Sequence, residues 1–337
     1  MTIRPHVRLS CLVLTLAMLV GAAPLAACTP RRPAATARIT LGFTAWPGWL
    51  PWQVAKEQGL FAKNGVNVEL KYFTNYTDSL LALESGALDA NSQTLNDTLI
   101  SVSGGARQTV VLVNDNSTGN DKVIARSGIT SVADLRGRKI AVEQGTVNHY
   151  LLLLALAQAG LGQQDVVLDP QPTDAAAAAA FTAGQVDAVS ASAPFTTRAL
   201  QRSGSHAIAT SAEFPGAIPN HLVVRPALIH DHPDTVQALV DTWFDTLKWI
   251  KGHKDAAVAI MAKTSGVSVE DYKTYDAGTT IFTRRQNLDA FTPGTTPEHL
   301  NYQAAQIADF VFGTGMVQSR PSVADLLDER FINSVPD

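Results

Sequence analysis

Ser85-Gly86-Ala87-Leu88-Asp89-Ala90 returns in the second half of the chain as Ala183-Gly184-Gln185-Val186-Asp187-Ala188: a small residue, a glycine, two variable positions and Asp-Ala. A repeat of this kind points to two related structural units. Each copy follows a helix-like stretch opened by a Thr-Asp pair, Thr77-Asp78 and Thr173-Asp174, which suits helix N-caps. The glycine suits the left-handed position just past a helix end. Further upstream, Gln58-Gly59-Leu60 and Ala159-Gly160-Leu161 close two more helical stretches, each ahead of a strand expected at 66–72 and 165–168.

The order helix, Gly-Leu, strand, helix, Gly-x-x-Asp-Ala strand therefore occurs twice, and strands at 39–43 and 139–142 open the two units. Strands alternating with helices of this length predict α/β sheets with helices on their faces. Ligands of such sheets sit beyond the carboxyl ends of the strands, so two facing units surround one cleft. After Leu222-Val223-Val224 the chain turns helical, and Val236, Leu239, Val240, Trp243, Phe244 and Leu247 recur at helical spacing, as a core-facing stripe does. This C-terminal third is assigned to the first lobe. The expected lobes are 38–123 plus 224–337 and 124–223, with crossings near 122–126 and 217–224.

The N-terminus reads as an address. Arg4 and Arg8 precede a charge-free segment that Gly21 and Pro24 interrupt, the pattern of an export signal and shorter than the ~20 residues of a stable span. Leu25-Ala26-Ala27-Cys28 resembles the lipobox of bacterial lipoproteins, which implies a signal peptide over 1–27, cleavage before Cys28 and lipid on its sulfur. Of the two cysteines, Cys11 lies in the removed part, so no disulfide is expected and the fold rests on its apolar core. Residues 29–37, rich in Pro, Ala and Thr, read as a flexible tether. Removing 1–27 takes two of the 26 Lys and Arg and none of the 30 Asp and Glu, so the net charge goes from −4 to −6. Nucleic-acid binding, which asks for clustered positive charge, is excluded.

Trp52-Gln53-Val54-Ala55-Lys56-Glu57-Gln58-Gly59-Leu60-Phe61 resembles the start of the first helix in nitrate/sulfonate/taurine-type (NitT/TauT) solute-binding proteins of ABC importers. The stretch from Ile129 to Val142, with Asp134-Leu135-Arg136-Gly137-Arg138-Lys139, resembles the opening of their second lobe, and Gly184-Gln185-Val186-Asp187-Ala188 their second Gly-x-x-Asp-Ala. The resemblance covers nearly all of the chain after Cys28. It implies a type II periplasmic-binding-protein fold, two α/β lobes joined by a two-crossover hinge around one cleft, that closes on a small solute and docks as a monomer on a membrane permease driven by a separate ATPase. Lipid on Cys28 implies anchoring to the membrane on its periplasmic or extracellular face.

Candidate ligand contacts fall at the expected strand ends. Trp46 and Trp49, in a loop with three tryptophans in seven residues, suit a stacking wall, and Trp52 is left to the core. The polar run after Ala90 offers Gln93, Thr94, Asn96 and Asp97. Asp121 lies at the first crossing, His221 near the second, and Glu143 ends the first strand of the second unit; the resemblance adds Thr146 and Phe195. The segments 45–52, 91–98, 143–149 and 190–197 hold no Lys or Arg. Carboxylates beside tryptophan faces suit guanidinium, through ion pairing and cation–π contact, or urea-like amides. This departs from the anion-binding pattern of the family. The alternatives are a small oxyanion (nitrate, sulfonate, taurine, bicarbonate) held by helix N-termini and His221, and a thiamine-pyrimidine precursor bound or made by a protein of the same fold. Catalysis is not expected: there is no Gly-x-Ser-x-Gly, no phosphate-binding loop and no glycine-rich nucleotide fingerprint. His230-Asp231-His232-Pro233-Asp234 reads as a turn and cap, not a metal site, and no cofactor is expected.

Overall fold

The computed structural model describes Arg38 to Pro336; the expected signal peptide, Cys28 and tether lie outside the described residues. The strands are β1 (Arg38–Phe43), β2 (Asn67–Tyr72), β3 (Ala90–Thr94), β4 (Thr109–Ser117), β5 (Lys122–Ala125), β6 (Lys139–Val142), β7 (Val167–Pro170), β8 (Ala188–Ala191), β9 (His206–Thr210), β10 (Pro219–Val224) and β11 (Thr279–Ile281). They form two sheets, ordered β11-β4-β10-β3-β1-β2 and β7-β6-β8-β5-β9. Nine helices enter the account: α1 (Pro51–Glu57), α2 (Leu60–Lys63), α3 (Tyr76–Glu84), α4 (Leu95–Ser103), α5 (Val147–Gln158), α6 (Asp174–Thr182), α7 (Phe195–Leu200), α8 (Pro226–Asp231) and α9 (Pro233–Gly252).

The internal repeat is visible in the pairing. β1 lies between β2 and β3, and β6 between β7 and β8, all parallel. One antiparallel strand then completes each unit, β10 beside β3 and β5 beside β8. Each of these is the strand that follows a crossing, so each lobe is closed by chain arriving from the other. The chain leaves the first sheet after Ser117, enters the second at Lys122, leaves it after Thr210 and returns at Pro219. Both passages come earlier than the expected 122–126 and 217–224. The apolar Leu222-Val223-Val224 is only the second half of β10, whose polar first half, Asn220 and His221, is buried by pairing with β3 and β4.

The repeated Asp has a physical task. Asp89 Oδ2 accepts from Thr40 N at 2.9 Å on β1, and its Oδ1 accepts from Arg225 Nη2 at 2.6 Å just past β10. Asp187 Oδ2 accepts from Lys139 N at 3.1 Å on β6, and its Oδ1 accepts from Arg126 Nε at 2.7 Å just past β5. Each carboxylate thus ties three strands at the rim opposite the carboxyl ends. The glycines before them are left-handed, Gly86 at φ +80° and Gly184 at φ +77°, a conformation that costs other residues a clash at Cβ.

The first repeat departs in one detail. Thr173 caps α6, accepting from Ala176 N at 3.0 Å, whereas α3 is capped by Asn75, accepting from Thr77 N at 3.1 Å, so Thr77 lies inside that helix. In the first lobe α9 buries Val236, Leu239, Val240 and Trp243. Trp243 meets Trp52 at 4.7 Å between ring centroids, and Trp52 stacks on Phe61. Trp52 Nε1 donates to Ser92 Oγ at 2.9 Å, which allows full burial of its polar end.

Candidate functional site

The segments that leave the carboxyl ends of β1, β2, β3, β6, β7 and β8 meet at one cleft, with an empty volume of about 610 Å³ including its open mouth. β1 sends Thr44, Ala45, Trp46 and Trp49; β2 sends Thr74, Asn75 and Tyr76; β3 ends in Thr94. From the second lobe come Glu143, Val147 and Asn148 after β6, Thr173 to Ala175 after β7, and Ser192 to Phe195 after β8. Asp121 and Ile218, from the two crossings, and Asn220, on β10, complete the lining. The N-termini of α3, α5, α6 and α7 all open here.

The aromatic wall belongs to the first lobe. Trp46 and Trp49 sit 6.3 Å apart between centroids, and Trp49 lies 5.5 Å from Tyr76. Trp46 is fixed from behind, its Nε1 donating to Asp115 Oδ1 at 3.0 Å.

The acidic wall belongs mainly to the second lobe. Glu143 Oε2 accepts from Asp174 N at 3.0 Å, at the start of α6. Its Oε1 accepts from Thr77 Oγ1 of the first lobe at 2.6 Å, a bond across the cleft. Asp174 Oδ2 accepts from Ser192 N at 2.9 Å and Ser192 Oγ at 2.6 Å. Burial pushes Asp174 up to about 7 and Asp121 up to about 6, against hydrogen bonds from Ser192 and Ser117 that pull them down, and burial raises Glu143 too. No Lys, Arg or His lines the cleft among the described residues.

Of the sequence-derived candidates, Trp46, Trp49, Thr94, Asp121, Glu143 and Phe195 line the cleft; Gln93, Asn96, Asp97, Thr146 and His221 do not. Strand alternation separates Gln93 from Thr94, and Gln93 Nε2 donates to Thr98 Oγ1 and Gln108 Oε1, both at 2.8 Å. Asn96 Nδ2 donates to Asp97 Oδ1 at 2.8 Å. Asp97 Oδ2 accepts from Thr94 Oγ1 at 2.6 Å. Thr146 Oγ1 donates to the Glu143 carbonyl at 2.9 Å. His221 is fully buried opposite Gln93, and burial pulls its pKa down to about 3, so it is neutral and adds no positive charge.

The lining residues not singled out from sequence include Tyr76, Asn148, Asp174 and Asn220. Asp174 is hidden by its second role at a helix start, and Asn220 by lying in the polar half of a strand. Asn148 stands in a segment named only for Glu143 and Thr146. Taking the start of the helix that follows each expected strand as a cleft position would have found Asp174.

Residues 32–266 match the model of the family described as NMT1-like. The chain belongs to the NMT1-like family. A protein of Brucella abortus whose name calls it a binding protein is 30% identical over 215 residues, which cover 62% of this chain and 66% of that relative, just under two thirds of its length. A Bacillus subtilis protein named for binding aliphatic sulfonates is 28% identical over 290 residues, covering 84% of this chain and 83% of that one. Among solved structures, the alkanesulfonate-binding protein of Xanthomonas axonopodis pv. citri bound to MOPS superposes at a TM-score of 0.74, with 20% identity over 88% of this chain and 99% of that one. That likeness establishes the two-sheet periplasmic-binding-protein fold for this NMT1-like chain. The same fold carries the desulfurization enzyme DSZB at a TM-score of 0.61 and 20% identity, covering 88% of this chain and 98% of that one, so fold alone does not separate binder from catalyst.

Proposed function

We propose that this chain is an exported solute-binding protein that captures a small polar solute rich in N–H donors, cationic or amide, and delivers it to a membrane permease worked by a separate ATPase. The observation that carries the reading is the composition of the cleft wall: Asp121, Glu143 and Asp174 facing Trp46 and Trp49, with no basic side chain. Carboxylates pair with such a solute, and an indole face attracts a cation by ~0.5–2 kcal/mol. Bonds already made across the cleft, Thr77 to Glu143 and Thr197 to Tyr275 at 2.9 Å, support closure of the lobes on the solute. Lipid on Cys28, with 29–37 as its reach, would hold the receptor near the permease.

A second reading has its own support. Relatives are named for sulfonates, and the helix N-termini of α3, α5, α6 and α7 favour an anionic group. A thermal-shift panel of guanidinium, urea, taurine, ethanesulfonate and nitrate at millimolar concentration separates the two. A solute at a hundred times its dissociation constant stabilises by ~2.7 kcal/mol. Guanidinium or urea is expected to raise the melting temperature; a rise with the anions alone replaces the first reading by the second. Chemical conversion of any bound compound would make the protein an enzyme instead.

A further inference from the structure

Four buried side-chain atoms on the cleft wall have no hydrogen-bond partner: Asp174 Oδ1, Asn148 Oδ1, Asn220 Oδ1 and Trp49 Nε1. All four residues are more than nine-tenths buried. Buried polar groups are normally paired, because leaving one unmade forfeits its hydration. Unpaired atoms gathered on one wall and drawn from both lobes are the complement of what the cleft holds. Three of the four are acceptors.

The orientation of Asn220 is set by its neighbours. Asn220 Nδ2 donates to Asp115 Oδ1 at 2.7 Å, and Trp46 Nε1 donates to the same oxygen at 3.0 Å. An indole N–H only donates, so Asp115 Oδ1 is held as an acceptor, and the Asn220 amide presents its nitrogen to it and turns its oxygen away. An asparagine next to a neutral group could rotate and offer either end. Here the acid behind it removes that choice.

We infer that Asn220 is the specificity-determining residue of the cleft: its carbonyl oxygen takes an N–H group of the solute and turns away oxyanions. Asp115 acts through Asn220 as a positioning residue and touches no solute. The inference rests on the cleft being the solute site. An oxyanion placed against this oxygen would meet an acceptor, and a sulfonate has no proton to offer it. A urea-type or guanidinium solute offers several. Trp49 Nε1, the one unpartnered donor, leaves a place for a single acceptor atom such as a carbonyl oxygen.

Calorimetric titration of the purified chain with urea, guanidinium and ethanesulfonate, repeated on Asn220→Ser, tests this. Loss of one such hydrogen bond is expected to weaken the N–H solute about tenfold, while ethanesulfonate is unchanged or tighter, so the ratio of the two dissociation constants moves. Asp115→Asn, which lets the Asn220 amide turn over, should shift the ratio the same way, an effect that loss of packing alone would not produce. Melting curves establish that each variant is folded, and any one folded variant suffices to decide. An unchanged ratio in a wild type that does bind urea or guanidinium overturns the inference and leaves the solute-binding reading standing. A wild type that binds none of the three solutes overturns that reading and the inference with it.

Discussion

The two lobes are nearly alike at one rim and unlike at the other. At the rim away from the cleft, Asp89 and Asp187 make the same bonds to the first strand of their unit and to an arginine beyond the antiparallel strand. At the cleft rim the first lobe presents Trp46, Trp49 and Tyr76, and the second presents Glu143 and Asp174. The repeat preserved what holds three strands together and let the segments after the strands diverge. A cleft between two copies of one framework thus has an aromatic side and an acidic side. That division suits a small planar solute with N–H groups at its edge.

The acidic side gives the largest expected effect. Asp121 and Asp174, held at about 6 and about 7, take up protons as the pH falls below neutrality, and Glu143 is raised by the same burial. A cationic solute favours the ionised carboxylates. Its binding should therefore release protons, and its affinity should rise from pH 5 to pH 8, by up to tenfold per unit for each proton released. An oxyanion has the opposite sign and should bind more weakly over the same range. For the solute-free protein, folded values raised above the unfolded ones mean stability that is fully present below about pH 4 and is lost as the pH rises through 6 to 7. Titration calorimetry in buffers of different ionisation heat measures the proton release directly. Proton uptake with guanidinium would break the assignment of the acidic wall to the solute.

The shared rim gives a smaller effect and a test of the likeness itself. Asp89→Ala and Asp187→Ala should each cost ~1–2 kcal/mol, the value of charge-assisted hydrogen bonds discounted for partial exposure. Both carboxyls are held below the ordinary aspartate value by bonds to backbone amides and arginine, against a burial that raises them. Their contribution is therefore present above about pH 4 and is lost as the pH falls through the lowered values, the reverse of the cleft acids. Thermal melting is the suitable measure, because urea and guanidinium are candidate solutes. A clear loss for one variant and none for the other would mean that the two aspartates no longer do the same work.

The repeat made the fold legible because its glycine and aspartate answer constraints that are local in sequence: a helix end, a strand start, a rim. The cleft was legible where a residue type and a strand end coincide, as at Trp46, Trp49, Thr94 and Glu143. Gln93, Asn96 and Asp97 sit in the right segment, but strand alternation and helix phase turn them to other partners. His221 failed for a different reason. A histidine near a hinge reads as a charge, yet its place between β3 and β4 strips it of water and leaves it neutral. Asn220 depends on a pairing between residues far apart in the chain, and a single sequence does not state which strand lies beside which.

The smallest effect probes the glycines that introduce the two aspartates. Gly86 and Gly184 both lie in the left-handed region, and a Cβ would approach nothing closer than Arg225 Nη1 at 3.5 Å in the first and Arg202 Nη2 at 3.9 Å in the second. Space is therefore available at both, and the cost of alanine is the backbone clash alone, ~1–2 kcal/mol, partly offset by the smaller entropy of the unfolded chain. Gly86→Ala and Gly184→Ala should each lower stability by ~1 kcal/mol, with solute affinity unchanged, since neither residue lines the cleft. Equal losses would show that the two helix ends are interchangeable, as the two aspartates are. A change in affinity from either would mean that strain at the far rim reaches the cleft, and the separation between a framework that repeats and a site that diverged would fail.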